Sequence, residues 1–96
     1  FSTGMAAIAS VFIALLRGGD HVVSSSFLFG NTNSLFGTLG QLGCAISYVD
    51  ATRVENVEQA LRPNTRMVFV ETIANPRTQI ADLVRIGELC AQRGIV

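Results

Sequence analysis

The sequence predicts an α/β fold built on parallel strands, and three observations carry that expectation. Helix-like and strand-like stretches alternate in short units along the chain, the pattern of strands joined by right-handed crossovers. The run Met67-Val68-Phe69-Val70 is continuously apolar, as a strand covered on both faces requires. The first helical stretch is apolar on all sides, which places it inside a layered structure. Of the 96 residues, 49% are hydrophobic and 15% charged, which excludes a disordered segment and allows one domain at most. Seven basic residues, all arginine, balance seven carboxylates with no basic run, so neither nucleic acid nor an anionic membrane surface is expected as a partner.

The first helix is expected from Gly4 to about Arg17. Met5, Ile8, Phe12, Leu15 and Leu16 follow helical spacing, while Ala6, Ala9 and Ile13 leave no polar face. Gly18-Gly19 end it, with Arg17 placed to meet its last carbonyls. A short strand runs from His21 to Ser24 or Ser25, and His21, beside Asp20, reads as a surface or turn residue rather than an acid–base catalyst. The second helix covers about Thr32 to Leu42, with Leu35, Phe36, Leu39 and Leu42 on one side. Gly37 and Gly40 weaken it by about 1 kcal/mol each relative to alanine, so it relies on packing. Gly43 is the expected C-cap, and Cys44 to Val49 the next strand. Thr52-Arg53-Val54-Glu55 has the form of a capping box, opening a helix through Leu61 that Pro63 stops.

Beyond the Met67–Val70 strand and Asn75-Pro76, Asp82 can cap a last helix to Arg93. It turns Leu83, Ile86 and Cys90 inward and Arg85, Glu88 and Gln92 outward, and Gly94 ends it. Gly94-Ile95-Val96 reads as a strand just beginning. There is no repeat, linker or composition shift. The apolar strands and helix need covering layers that these residues do not supply, so residues 1–96 read as a fragment with both ends cut from a longer polypeptide. Cys44 and Cys90 match neither a zinc spacing nor a CxxC motif and are expected as buried free thiols in a reducing cytoplasm; no metal site is expected. Met5–Leu16 is too short to cross a bilayer and lacks the flanks of a signal peptide.

Three segments carry residues suited to chemistry. Ser2-Thr3-Gly4-Met5-Ala6-Ala7 puts small and hydroxyl residues directly before a helix, where free N–H groups and the helix dipole make either an anion site or a simple N-cap by Ser2 or Thr3. Neither GxGxxG nor a P-loop is present, and the chain contains no lysine. Phe27-Leu28-Phe29-Gly30-Asn31-Thr32 follows a strand and precedes a helix, the place for a ligand in an open α/β sheet; its aromatics stack on a planar ligand or pack in the core. Glu71-Thr72-Ile73-Ala74-Asn75-Pro76 ends the most hydrophobic strand, and Asn75 either meets a ligand oxygen or begins an ordinary turn.

In order and spacing these segments resemble the pyridoxal-phosphate enzymes of cysteine and methionine metabolism, among them cystathionine γ-synthase, cystathionine γ-lyase and the O-acyl-homoserine sulfhydrylases. Thr3-Gly4-Met5-Ala6-Ala7 is similar to that family's Ser-Gly-Met-Ala-Ala, and Gly19-Asp20 to its Gly-Asp before a strand. Phe29-Gly30-Asn31-Thr32 with Leu35-Phe36 is similar to its Tyr-Gly-Gly-Thr followed by Leu-Phe, and Glu71-Thr72-Ile73-Ala74-Asn75-Pro76 to its Glu-Thr-x-x-Asn-Pro. The resemblance covers nearly the whole chain and is strongest to the O-succinylhomoserine sulfhydrylase branch.

What the resemblance implies is a part of the mostly parallel, three-layer large domain of fold-type I pyridoxal-phosphate enzymes. The main-chain amides of Gly4 and Met5, next to Thr3, would bind the cofactor phosphate, and Phe29 would stack on the pyridine ring. Asn75 would reach the ring's phenolic oxygen or the substrate carboxylate, and Glu71 and Thr72 would line the same pocket. The lysine that carries the cofactor, the aspartate at the pyridine nitrogen and the Ser/Thr that share the phosphate would lie beyond Val96. An aromatic–arginine pair from before Phe1 would reach a neighbouring subunit's phosphate. The implied protein is cytoplasmic, a dimer of dimers, and exchanges the acyl group of O-succinyl- or O-acetylhomoserine for sulfide or cysteine in methionine biosynthesis; the fragment alone would be inactive. Phe29, where the family has tyrosine, lacks a hydroxyl to move protons and favours replacement over elimination. The alternatives are a cystathionine γ-synthase or γ-lyase, or a non-catalytic α/β module that binds another anion.

Overall fold

The computed structural model describes residues 2–28, 30–74 and 79–96. In chain order they form α1 (Gly4–Leu15), β1 (His21–Ser25), α2 (Gly30–Gln41), β2 (Ala45–Val49), α3 (Val54–Ala60), β3 (Thr65–Phe69), β4 (Ile73–Ala74), β5 (Gln79–Ile80) and α4 (Leu83–Arg93). The larger sheet has the order β2-β1-β3, parallel throughout, with Val22 opposite both Ile46 and Met67. Beyond β3 the Val96 amide donates to the Arg66 carbonyl at 3.2 Å, and its carbonyl accepts from the Val68 amide at 2.8 Å. One residue bracketing a position two apart on its neighbour is the parallel pattern. Val96 thus makes the bonds of a parallel pair with β3, in keeping with the reading of Gly94-Ile95-Val96 as a strand beginning.

Side-chain alternation along β1 divides the core into two layers. Val22 packs with Phe12, Leu16, Leu28, Phe36, Leu39, Cys44 and Met67, which puts α1 and α2 on one face. Val23 packs with Ala51, Val54, Val57, Ala81, Ile86, Leu89 and Cys90, which puts α3 and α4 on the other. The fold is thus the expected three-layer α/β arrangement. Between α3 and α4, Arg85 meets Glu55 at 3.5 Å and Arg93 meets Glu58 at 3.4 Å; these exposed pairs add little stability. Cys44 and Cys90 are buried free thiols, and burial raises the pKa of both, with the Asp20 charge adding to the rise at Cys44.

The helix ends show which local signals hold. The Asp82 carboxylate accepts from the Arg85 amide, and Gly94 closes α4 in the left-handed region at φ 65°. Arg17 donates to the carbonyls of Ala14 and Leu16, as expected, although α1 ends at Leu15 rather than Arg17. The capping box at Thr52 does not form. Asp50 captures both the Thr52 amide (3.0 Å) and hydroxyl (2.6 Å), so Arg53 occupies the N-cap without a side-chain bond. The Asp50 carboxyl is held below its usual range by those two bonds. Three residues expected to face inward are exposed: Leu42 has turned past the end of α2, Leu83 sits at the first turn of α4, and Ile13 is 75% exposed on α1. The outer face of α1 is therefore open in this chain, not enclosed. The two-residue strands β4 and β5, paired antiparallel through Ile73–Ile80 and Ala74–Gln79, have no counterpart in the sequence reading.

His21 overturns the sequence reading most sharply: it is fully buried in β1. Nδ1 lies 2.6 Å from the Thr65 hydroxyl and Nε2 2.9 Å from that of Ser47. Thr65 Oγ1 already accepts from the Arg62 amide at 2.7 Å, and Ser47 Oγ from the Arg62 guanidinium at 3.3 Å. A neutral ring accepting the Thr65 proton at Nδ1 and donating from Nε2 satisfies every partner. Protonation would turn Nδ1 into a second donor facing that hydroxyl. Burial first, and the nearby Arg62 charge second, lower the His21 pKa from the ordinary imidazole value of 6.5. A lowered native pKa stabilises the fold fully above the unfolded value, and the contribution is lost as pH falls through the native one. The whole protein is expected to lose urea stability on acidification below about pH 6.5, and a His21→Gln variant to show a flatter profile there. Equal slopes for the two proteins would contradict this account.

Candidate functional site

Strand order positions the site. The chain leaves β1 towards α2 on one face and leaves β3 towards α4 on the other, so adjacent strands diverge at their carboxyl ends. Such a switch point opens a crevice in doubly wound sheets. The segment Ser26–Leu28 borders it from β1, and Val70–Thr72 from β3.

α1 runs antiparallel to the sheet, because its C-terminal end lies at the start of β2, where the Cys44 thiol donates to the Arg17 carbonyl at 3.4 Å. Its N-terminus therefore points to the carboxyl edge. Thr3 is the N-cap: its side chain accepts from the Ala6 amide at 3.0 Å and its carbonyl from the Ala7 amide at 3.2 Å. The helix geometry leaves the amides of Gly4 and Met5 without an intrahelical acceptor. Among the described residues nothing else takes them. Gly4 is exposed, and a Cβ there would meet nothing within 4 Å, so an anion can approach the main chain directly. Of the two readings of this segment the N-cap by Thr3 is observed, and the amides of Gly4 and Met5 lie beyond it.

Beside this start, the buried Thr32 of α2 donates its hydroxyl to Met5 Sδ at 3.9 Å. On the α3–α4 side of the same edge, Ser25, Phe27, Ala51, Thr52, Glu71, Gln79 and Ala81 line a shallow cleft. Phe27 is half-buried there, and so is Glu71. Thr72 is exposed and outside the cleft lining; its carbonyl accepts from Ala81 instead. The structure thus brings Thr3, Gly4 and Met5 together at one corner and sets Glu71 in the cleft on the opposite face. Phe29 and Asn75 lie outside the described residues. Thr32 was missed as a contact of this corner. Its signal is that it shares the i, i+4, i+7 face of Phe36 and Leu39, where a polar residue is out of place.

The arrangement is that of a doubly wound α/β layer with the start of α1 at its carboxyl edge. The sequence pattern described as Cys/Met metabolism PLP-dependent enzyme matches residues 1–96, and the chain belongs to that family. The canavanine γ-lyase of Pseudomonas canavaninivorans is 41% identical over 98% of this chain and 24% of its own length. An O-acetylhomoserine sulfhydrylase structure from Wolinella succinogenes superposes with a TM-score of 0.92 at 41% identity, over 97% of this chain and 27% of that one. A putative O-acetylhomoserine (thiol)-lyase from Campylobacter jejuni, holding a pyridoxyl-lysine phosphate, superposes with a TM-score of 0.91 at 31% identity, over 99% and 24%. The chain thus spans about a quarter of the length of these relatives. Pyridoxal phosphate is the cofactor of the family, and the open amides at the start of α1 fit its anionic end.

Proposed function

We propose that these residues are the phosphate-binding part of a pyridoxal-phosphate-dependent sulfhydrylase, which replaces the acyl group of O-succinyl- or O-acetylhomoserine by sulfide or cysteine. The observation that carries this is the pair of amides at Gly4 and Met5, without an acceptor among the described residues, at the carboxyl edge where the strand order reverses. Bound pyridoxal phosphate supplies an electron sink for the amino-acid substrate. The chain's own residues bind and orient. Gly4 and Met5 hold the phosphate through main-chain N–H groups, and Thr3 keeps the first turn closed by taking the Ala6 amide. Phe29 would stack on the ring and, without a hydroxyl, would carry no proton. Asn75 would donate to the ring's phenolic oxygen or the substrate carboxylate, and Glu71 and Thr72 would border the substrate. Residues 1–96 contain no lysine, so the amine that holds the cofactor covalently comes from elsewhere in the whole protein. The same reading carries a dimer of dimers and a cytoplasmic place in methionine biosynthesis.

A γ-lyase is the second reading, supported by the 41% identity to canavanine γ-lyase. The assay is the whole protein with O-succinyl- and O-acetylhomoserine plus sulfide, in parallel with cystathionine and methionine. A sulfhydrylase releases homocysteine from the first pair faster than 2-oxo acid from the second. The reverse ratio assigns the lyase.

A further inference from the structure

We infer that Thr32 is a positioning residue for the cofactor phosphate, acting through the side chain of Met5. This rests on the reading that the amides of Gly4 and Met5 hold that phosphate. α2 carries three hydroxyl residues, and they behave differently. Ser34 and Thr38 donate back to carbonyls of their own helix, those of Gly30 and Ser34. Among the described residues Thr32, only 1% exposed, reaches across to Met5 Sδ on α1. Its neighbours on that face, Phe36 and Leu39, belong to the apolar core. A valine would fill the same space without the desolvation a buried hydroxyl costs, so the hydroxyl does more than occupy volume.

The two helices are joined at two heights. Midway, the rings of Phe12 and Phe36 stack at a centroid distance of 5.1 Å. At the carboxyl edge, the Thr32 hydroxyl meets the Met5 thioether. Methionine is unbranched, with three rotatable bonds and a soft acceptor sulfur. A donor placed at Sδ selects one rotamer and fixes the first turn of α1 against α2. The amides of Gly4 and Met5 belong to that turn, and amides aimed at an anion are effective only while their direction is held.

The test uses the whole holoenzyme and compares affinity for pyridoxal phosphate with affinity for pyridoxal, which lacks the phosphate. Thr32→Val is expected to weaken pyridoxal phosphate binding by about two- to fivefold, the worth of one weak hydrogen bond to a thioether, and to leave pyridoxal binding unchanged. Thr32→Ser restores the hydroxyl and should stay within about twofold of wild type. Met5→Leu, a volume-conserving change, should match Thr32→Val, and the double variant should be no worse than either single. Equal losses for both cofactor forms, no loss at all, or additive effects of the two substitutions would overturn the inference. Gly4→Pro separates it from its premise. If that variant weakens pyridoxal phosphate binding while Thr32→Val does not, the inference about Thr32 alone is wrong. If Gly4→Pro has no effect, the phosphate site fails and this inference with it.

Discussion

Gly4→Pro in the whole protein is expected to weaken pyridoxal phosphate binding by about ten- to a hundredfold while leaving the apo-protein's melting temperature nearly unchanged. The magnitude is that of one hydrogen bond to a charged acceptor, about 1.5–3 kcal/mol. The selectivity follows from the position. Gly4 is the first residue of α1, where proline's fixed φ suits the helix and its missing N–H breaks no helical bond. The residue before a proline must be extended, and Thr3 already is, with φ −147° and ψ 160°. Space is free beside Gly4, and its φ is not among the chain's positive values. One amide hydrogen is therefore removed and little else. Gly4→Ala keeps the amide and adds a methyl, so it reports any steric cost separately. Cofactor titration followed by absorbance reads both variants. Wild-type affinity in Gly4→Pro would mean that this amide does not hold the phosphate.

The helix start at this corner was legible in the sequence because the cap that makes it is local. Thr3, Gly4 and Met5 are consecutive, and the cap bond spans three residues. The same holds for α4, whose start at Asp82 and stop at Gly94 follow from short-range signals and a strongly two-sided pattern. His21 shows the opposite case. Its partners Thr65 and Ser47 are 44 and 26 residues away and meet it only once β1 lies between β2 and β3, so a histidine beside Asp20 looks like a turn residue until the strands pair. Thr52 failed for a different reason. Asp50, two residues earlier, competes for the same hydroxyl, and a carboxylate wins over a neutral amide-capping role. β4 and β5 are two residues each, too short for alternation to register. Thr32 lay in plain sight within a matched motif, but its partner is 27 residues away on another helix, and only the packing of α1 on α2 turns it into a contact.

That packing is carried chiefly by one ring, and removing it is the substitution with the largest expected cost in stability. Phe12 is 1% exposed, stacks on Phe36 at 5.1 Å and meets Phe69 edge-on at 5.4 Å. It thereby joins α1 to both α2 and the end of β3. Phe12→Ala should destabilise the whole protein by about 3–5 kcal/mol, the transfer of the ring plus the cavity it leaves. Phe12→Leu keeps most of the volume and should cost about 1.5 kcal/mol or less. Urea denaturation of both variants gives the comparison. The distinction matters because Phe12 is the one buried residue within the helix itself: Ile8 and Leu15 pack against the same core while partly exposed, and Val11 and Ile13 face outward. Equal midpoints for Phe12→Ala and the wild type would mean that the helix is held by its outer face, through contacts made by other parts of the whole protein. The position of the Gly4 and Met5 amides would then be set from outside this layer, and the Phe12–Phe36 stack would not be what aligns α1 with the carboxyl edge.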